Sequence, residues 1–87
     1  MAGDVDCREA FAVVLRTLRR RRGITQADLA LRARLHRNYV GRMERAEQDP
    51  TLPIVFALAS ALEVDADKVV LEVQRLLNGE SIRSARL

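Results

Sequence analysis

Cysteine, aromatic side chains and long apolar runs are scarce in this sequence, and each scarcity removes a class of protein. The single cysteine, Cys7, excludes an internal disulfide and a cysteine-rich zinc site, and it fits a reducing compartment. Aromatic residues form 3% of the chain, which disfavours a β-sandwich. No stretch approaches the roughly 20 apolar residues of a membrane span. The acidic Asp4, Asp6 and Glu9 do not indicate a signal peptide, so we expect a cytoplasmic protein.

Aliphatic residues supply most of the apolar material that is present. Hydrophobic residues make up 48% of the 87 residues, so the core must consist of leucine, valine, isoleucine and alanine, as in short packed helices. A chain of this length forms one domain and has little room for an enzyme cleft. The sequence has one histidine, no phosphate-binding glycine loop and no workable cluster of metal-ligating or nucleophilic residues. We expect no catalysis, metal, cofactor or small-molecule ligand.

Positive charge is concentrated in one half of the chain. The segment from Arg8 to Arg45 holds eleven arginines and three acidic residues, a net charge of +8, whereas the rest of the chain carries −5. Such an asymmetry favours a polyanionic partner for the basic half. Charge alone does not distinguish DNA from RNA or from an acidic membrane surface.

Residues that favour helix ends divide the chain into five segments with helical spacing of apolar residues. Gly23 ends the first helix, and Thr25 caps the second, with Asp28 in the reciprocal position of a capping box. Thr51 and Asp65 are suited to cap the fourth and fifth helices. The predicted helices cover about residues 8–21, 26–33, 37–45, 52–62 and 66–77, in a domain of residues 8–78 with flexible ends at 1–7 and 79–87.

The second and third predicted helices have the spacing of a helix-turn-helix. Counted from Gln26 as the first of twenty positions, small or apolar residues fill the fourth, fifth, eighth, tenth, fifteenth and eighteenth places. The fifth place accepts only a small side chain because the two helices cross closely there. The residues at these places are Leu29, Ala30, Ala33, Leu35, Val40 and Met43. An ordinary helical hairpin with a solvated arginine face is the alternative interpretation.

Several motifs between Leu18 and Val64 resemble the repressor and Cro type of helix-turn-helix, the XRE-like family. They read LRRRRGITQADLA, ARLHRNYVGRMERA, DPTL and LASALEV. The resemblance implies a compact all-α bundle of five helices and a bacterial or phage-encoded transcriptional regulator. Members bind a pseudo-palindromic operator in double-stranded DNA as homodimers, with the third helix in the major groove. The segment ERA-x-x-x-P-T-L is most similar to the controller proteins of restriction-modification systems.

Three residues depart from the family pattern. Arg34 stands where members usually have glycine, because that turn residue adopts a left-handed backbone that costs other residues roughly 1 kcal/mol or more. His36 replaces the usual serine or threonine cap of the third helix, and Ala46 replaces the usual glycine after it. We expect strain at Arg34 and slightly shifted ends of the third helix.

The resemblance and the geometry of a recognition helix together select the residues that meet DNA. Arg37, Asn38 and Arg42 are expected to contact base edges, since arginine pairs with guanine and asparagine with adenine through two hydrogen bonds. The predicted phosphate contacts are Gln26, Tyr39, Arg20 and Arg45. For Tyr39, plain packing against the protein is an equal alternative.

The resemblance also implies an ion pair between Arg19, late in the first helix, and Glu44, at the end of the third. Such a pair would fix the recognition helix to the bundle. Removal of one partner would leave a partly buried charge without its counter-ion, which is costly.

Surplus apolar residues predict a dimer. The fourth helix is expected to use Leu52, Val55, Leu58, Ala59 and Leu62 for its own core. Ile54 and Phe56 are then left outside that core, and the fifth helix offers more apolar residues than one small core absorbs. Contact between symmetry mates would place two recognition helices about 34 Å apart. The predicted interface residues are Phe56, Val73, Leu76 and Leu77.

Two other functions are alternatives to DNA regulation. A DNA-binding antitoxin or protein-interaction module would have the same fold, although the tail after Glu80 is short for wrapping a toxin. RNA binding is disfavoured because the exposed aromatic platforms used for base stacking are missing.

Overall fold

The computed structural model describes residues 5–82 and contains the five helices in the predicted order. They are α1 (Cys7–Arg21), α2 (Gln26–Ala33), α3 (Arg37–Glu44), α4 (Leu52–Ala61) and α5 (Ala66–Leu77). Residues 5–82 contain no strand, so the predicted all-α class is confirmed. The flexibility predicted for residues 1–4 and 83–87 lies outside the described residues.

Helix α1 begins one residue earlier than predicted because Asp6 caps it. The Asp6 carboxylate accepts a hydrogen bond from the Glu9 backbone N–H (2.9 Å), and the Glu9 carboxylate accepts one from the Asp6 N–H (3.2 Å). This reciprocal arrangement is a capping box. Asp6 and Cys7 therefore belong to the start of α1 and not to an irregular segment.

Two of the predicted caps form hydrogen bonds at helix starts. Thr25 Oγ1 accepts from the Asp28 N–H, and the Asp28 carboxylate accepts from the Thr25 N–H, both at 3.0 Å. Thr51 Oγ1 accepts from the Ile54 N–H at 3.4 Å. Asp65 occupies the N-cap position of α5, but its side chain makes no capping hydrogen bond.

All five helices end in the same left-handed turn. After the last turn of each helix comes a residue with a positive φ. The backbone N–H of the next residue donates a hydrogen bond to the carbonyl five residues before it, which is the Schellman motif. The left-handed residues are Gly23 (67°), Arg34 (58°), Ala46 (60°), Glu63 (60°) and Gly79 (82°). Three of the five are therefore not glycine, and the family departures at Arg34 and Ala46 keep the backbone that glycine would adopt.

One aliphatic core lies between the helices. Helix α1 packs against α3 and α5, α2 packs against α3 and α4, and α4 packs against α5. Among the buried residues that the structure describes, Phe11 is the only aromatic one. The predicted helix-turn-helix positions Leu29, Ala30, Ala33, Val40 and Met43 are buried, and Leu35 packs partly against the core. The twenty-residue spacing therefore identified the inner face correctly.

The inner face of α4 was partly mispredicted. Leu52, predicted for the core, is 66% exposed, whereas Ile54, predicted to lie outside the core, packs partly against it. Every residue of α4 except Ser60 is apolar, so periodicity alone could not define the buried face. Leu58, Ala59 and Leu62 are buried as predicted.

Residues 79–82 continue from α5 with defined contacts. The Glu80 N–H donates to the Arg75 carbonyl at 2.8 Å. Ile82 packs partly against the core. Part of the segment that the sequence assigns to a flexible tail therefore lies against the bundle.

Candidate nucleic-acid interface

The turn between α2 and α3 sets the position of α3, the predicted recognition helix. Arg34, at φ 58° and ψ 43°, reverses the chain, and the Leu35 N–H donates to the Ala30 carbonyl at 2.8 Å. His36 Nδ1 then accepts a hydrogen bond from the Asn38 N–H at 3.1 Å. The imidazole thus replaces the hydroxyl cap common in the family, and α3 begins at Arg37 as predicted.

A groove of about 480 Å³ runs along the outer face of α3. Its lining consists of Gln26, Arg37, Asn38, Gly41, Arg42 and Arg45. Three guanidinium groups and two carboxamides line this groove, and its lining contains no carboxylate. The groove is therefore cationic and rich in hydrogen-bond donors, which suits both phosphate oxygens and the acceptor atoms of base edges.

The structure brings together the three residues predicted to contact bases. Arg37, Asn38 and Arg42 are all exposed and all line the groove. Two of the predicted phosphate contacts, Gln26 and Arg45, line it as well. The other two do not. Tyr39 is partly buried and packs against the core, and Arg20 is exposed on the last turn of α1.

Behind the groove, Glu44 is buried and accepts hydrogen bonds from several elements. Arg19 donates to its two carboxylate oxygens at 2.6 Å and 3.0 Å, and Gln26 Nε2 donates to Oε1 at 3.0 Å. Arg16 donates to the Glu44 backbone carbonyl at 2.7 Å. The hydrogen bond with Glu44 raises the pKa of Arg19, while partial burial opposes the rise. Helix α3 is thereby joined to α1 and to the start of α2.

The sequence pointed to only part of this cluster. The resemblance implied the pair of Arg19 and Glu44, but the hydrogen bonds from Arg16 and Gln26 were not predicted. The available signal was the spacing of Arg16 and Arg19, which are three residues apart and therefore on one face of α1. Because Gln26 donates one amide N–H to Glu44, its side chain is oriented before any ligand arrives.

The predicted dimer residues have different environments. Phe56 is 57% exposed, whereas Val73 is buried in the core and Leu76 and Leu77 pack partly against it. The large apolar side chains exposed on α4 and α5 are Leu52, Phe56, Val70 and Leu71. The groove between these helices measures about 530 Å³.

Comparison with known proteins identifies the family of this fold. A family model described as Helix-turn-helix matches residues 15–69. The chain belongs to the helix-turn-helix family. The chain is therefore a DNA-binding transcriptional regulator, and the groove lies along α3, the second helix of its helix-turn-helix.

The helix-turn-helix chain is similar to several characterised sequences and structures. Control protein C.SmaI of Serratia marcescens is 35% identical over 66 residues, which cover 76% of this chain and 79% of that protein. The restriction-modification controller protein C.AhdI of Aeromonas hydrophila is 35% identical, with a TM-score of 0.67 and coverage of 69% and 91%. The clp gene regulator ClgR of Corynebacterium glutamicum is 25% identical, with a TM-score of 0.77 and coverage of 83% and 77%.

Two further properties of the helix-turn-helix chain bear on its site. No helix within residues 5–82 has the length and hydropathy of a membrane-spanning segment. In the same part of the chain, no group of three or more histidine, cysteine or acidic residues is arranged to hold a metal ion.

Proposed function

We propose that this chain is a homodimeric regulator that reads a pseudo-palindromic operator with α3 in the major groove. The observation that carries the proposal is the cationic groove in which Arg37, Asn38 and Arg42 lie side by side on one exposed face. Arginine can donate two hydrogen bonds to O6 and N7 of guanine, and asparagine can pair with N6 and N7 of adenine. The groove therefore offers sequence-reading groups and not only positive charge.

Gln26 is suited to hold the DNA backbone beside this reading face. It is the first residue of α2, where backbone N–H groups lack intrahelical partners and the helix dipole is positive. Its side-chain amide is fixed by Glu44. A phosphate bound here would set the register of α3 without specifying sequence.

The exposed apolar face of α4 and α5 supports a second copy of this chain as the partner. Leu52, Phe56 and Val70 are each more than half exposed and line one groove, whose lining also includes Asp65 and Asp67. A two-fold dimer through this face would bury apolar surface that a monomer leaves in water. Two copies of α3 would then meet half-sites about one DNA turn apart.

The proposed regulator acts without catalysis, cofactor or small-molecule ligand, in the cytoplasm where its DNA target lies. The proposed DNA-binding and dimerisation domain comprises the predicted residues 8–78, together with Asp6 and Cys7 at the start of α1 and residues 79–82 after α5. Its similarity to Control protein C.SmaI and to the restriction-modification controller protein C.AhdI supports a role as a controller of such a system. The similarity to ClgR shows that the same fold also serves other regulators.

Selection of bound duplexes from random DNA, at about 150 mM salt, tests the proposal, because specific and purely electrostatic binding separate only at controlled ionic strength. We expect a palindromic motif with half-sites about ten base pairs apart. Arg37→Ala and Asn38→Ala should weaken its enrichment. Arg32→Ala removes an exposed arginine from α2, outside the groove lining, and should leave the motif intact.

Enrichment of no sequence by the folded protein would contradict the proposal. The exposed apolar face would then favour the alternative function, a protein-interaction module such as the antitoxin of a toxin pair. Capture of a stable one-to-one complex with a protein encoded beside this gene would be the corresponding next measurement.

A further inference from the structure

The guanidinium of Arg45 lies where the side chain of residue 41 would otherwise be. Gly41 is one helical turn before Arg45 on the same face of α3, and helical side chains point back toward the N-terminus. A Cβ placed on Gly41 would lie 3.1 Å from Arg45 Nη1 and 3.5 Å from Gln26 Oε1. Arg45 therefore reaches into the reading face at the level of Gly41 and is not directed away from it.

Glu47 holds Arg45 in this position from one side. Its carboxylate accepts hydrogen bonds from Arg45 Nε at 3.1 Å and from Nη2 at 3.2 Å. Glu47 is itself fixed to the end of α3, because its backbone N–H donates to the Arg42 carbonyl at 2.8 Å in the Schellman turn at Ala46. The carboxylate thus approaches the guanidinium side-on from a defined backbone position.

The side-on pair leaves the far edge of the guanidinium available. Nη1, with its two N–H groups, and the second N–H of Nη2 are not used by Glu47. Parallel N–H donors of this kind match the O6 and N7 acceptors of guanine. A carboxylate that restricts the rotamers of an arginine also reduces the conformational entropy lost when the arginine binds.

Charge favours a base over a phosphate as the ligand of Arg45. The hydrogen bond from Arg45 lowers the pKa of Glu47, desolvation opposes this shift, and the charges of Arg45 and Arg42 add to the lowering, so the carboxylate is ionised at neutral pH. A phosphate that approached the guanidinium would meet this second anion at close range. A base edge carries no net charge and would not be repelled in the same way.

We propose that Arg45 is a further base-reading residue of the recognition helix, that Glu47 is its positioning residue, and that Gly41 provides the space it occupies. This assignment rests on the proposed function and replaces the phosphate contact predicted from the sequence. It gives each half-site one additional specified base pair, which we expect to be a G·C pair.

Quantitative binding to the selected operator, to its single-base variants and to a random duplex tests this assignment in the full-length chain. Arg45→Lys keeps the charge but loses the planar pair of donors. We expect it to relax the preference at one base pair of each half-site by about tenfold. Affinity for the random duplex and its salt dependence should stay the same. Glu47→Gln should relax the same base pair, in the same direction and to a smaller extent.

Arg42→Lys and Arg32→Lys provide matched controls. The first should relax a different base pair, and the second should relax none. Two results would show that Arg45 is a phosphate contact and that the inference is wrong. The first is that Arg45→Lys leaves every base preference unchanged. The second is that Arg45→Ala weakens binding to all duplexes in equal proportion and lowers the slope of the salt dependence by about one ion. Failure of the wild-type protein to enrich any operator would instead contradict the proposed function, so the two failures are distinguishable.

Discussion

The guanidinium of Arg19 and the carboxylate of Glu44 join α1 to the last turn of the recognition helix through two hydrogen bonds of 2.6 Å and 3.0 Å. The carboxylate side chain is 2% exposed and the guanidinium 13%. With so little solvent around the pair, each charge is stabilised by the opposite charge and not by hydration. The same carboxylate orients Gln26, so one buried group links the bundle, the recognition helix and a predicted phosphate contact.

Replacement of Glu44 by glutamine should cost about 3 kcal/mol or more in free energy of unfolding, because Arg19 would remain buried without its counter-ion. Urea unfolding at neutral pH measures the loss. Glu63→Gln is the matched control, since Glu63 pairs with Arg22 at 3.5 Å with its side chain 73% exposed. Exposed pairs contribute about 1 kcal/mol or less. Equal losses in the two variants would show that burial does not govern the energy of the pair.

Replacement of Arg34 by glycine should stabilise the protein by roughly 1 kcal/mol, because Arg34 has φ 58° and glycine adopts that backbone without steric cost. Arg32→Gly is the control on the same helix. Arg32 is helical and exposed, so its replacement should destabilise by about 0.5 to 1 kcal/mol. Opposite signs in urea unfolding are expected. A loss of stability in both variants would mean that the Arg34 side chain makes contacts that outweigh its strain.

Periodic apolar residues and helix caps made most of the fold predictable. The helix-turn-helix has a demanding spacing, and its small residue Ala30 and inner residues such as Val40 fell where the spacing required. Helix α4 was not predictable in the same way, because a helix that is apolar nearly all round has no periodic signal. For that reason Leu52, expected in the core, is exposed, and Ile54, expected outside the core, packs partly against it.

The residues of the candidate site were predictable where residue type and helix register decide which side chains can contact DNA. The exposed positions of Arg37, Asn38 and Arg42 followed from the helix register. The partner of Arg45 did not, because the pair depends on the left-handed turn at Ala46, which brings Glu47 back alongside α3. Side chains two residues apart in a helix point in different directions, and only the geometry of the turn brings Arg45 and Glu47 together.

Asp28 should make the stability of α2 depend on pH. Hydrogen bonds from the Thr25 backbone and side chain lower the pKa of Asp28 in the folded state. Its contribution is therefore fully present above the unfolded pKa of about 3.9 and is lost as the pH falls through the lower folded value. Wild type should be more stable than Asp28→Asn at neutral pH, and the difference should vanish in acid. A difference that stays constant between pH 7 and pH 2 would contradict this account.

Phe56→Glu should separate the proposed dimer into monomers of 9.8 kDa without unfolding them. The side chain is 57% exposed, so the monomer tolerates the charge, whereas an apolar interface does not. Loss of a central aromatic contact weakens association by at least about 30-fold. Sedimentation at micromolar concentration measures the change. Leu31→Glu, at a residue of α2 that is 80% exposed, should leave the mass unchanged. A monomeric wild-type protein would contradict the dimer.

Gly41→Ala should affect stability and DNA binding in opposite directions. Alanine is favoured over glycine inside a helix by roughly 0.5 to 1 kcal/mol. The new methyl group would meet the flexible end of Arg45 and not the backbone, so the fold has room to adjust. Arg45 would then be displaced from the reading face, and operator affinity should fall by about tenfold, the low end for one bidentate base contact.

Urea unfolding and fluorescence anisotropy with labelled operator measure the two effects separately. The decisive comparison repeats Gly41→Ala in an Arg45→Ala background. If the methyl group acts by displacing Arg45, its effect on affinity should largely disappear there, because residues in contact show non-additive energies. An undiminished loss would mean that the methyl group obstructs DNA directly, and that Gly41 serves close approach of the helix and not the placement of Arg45.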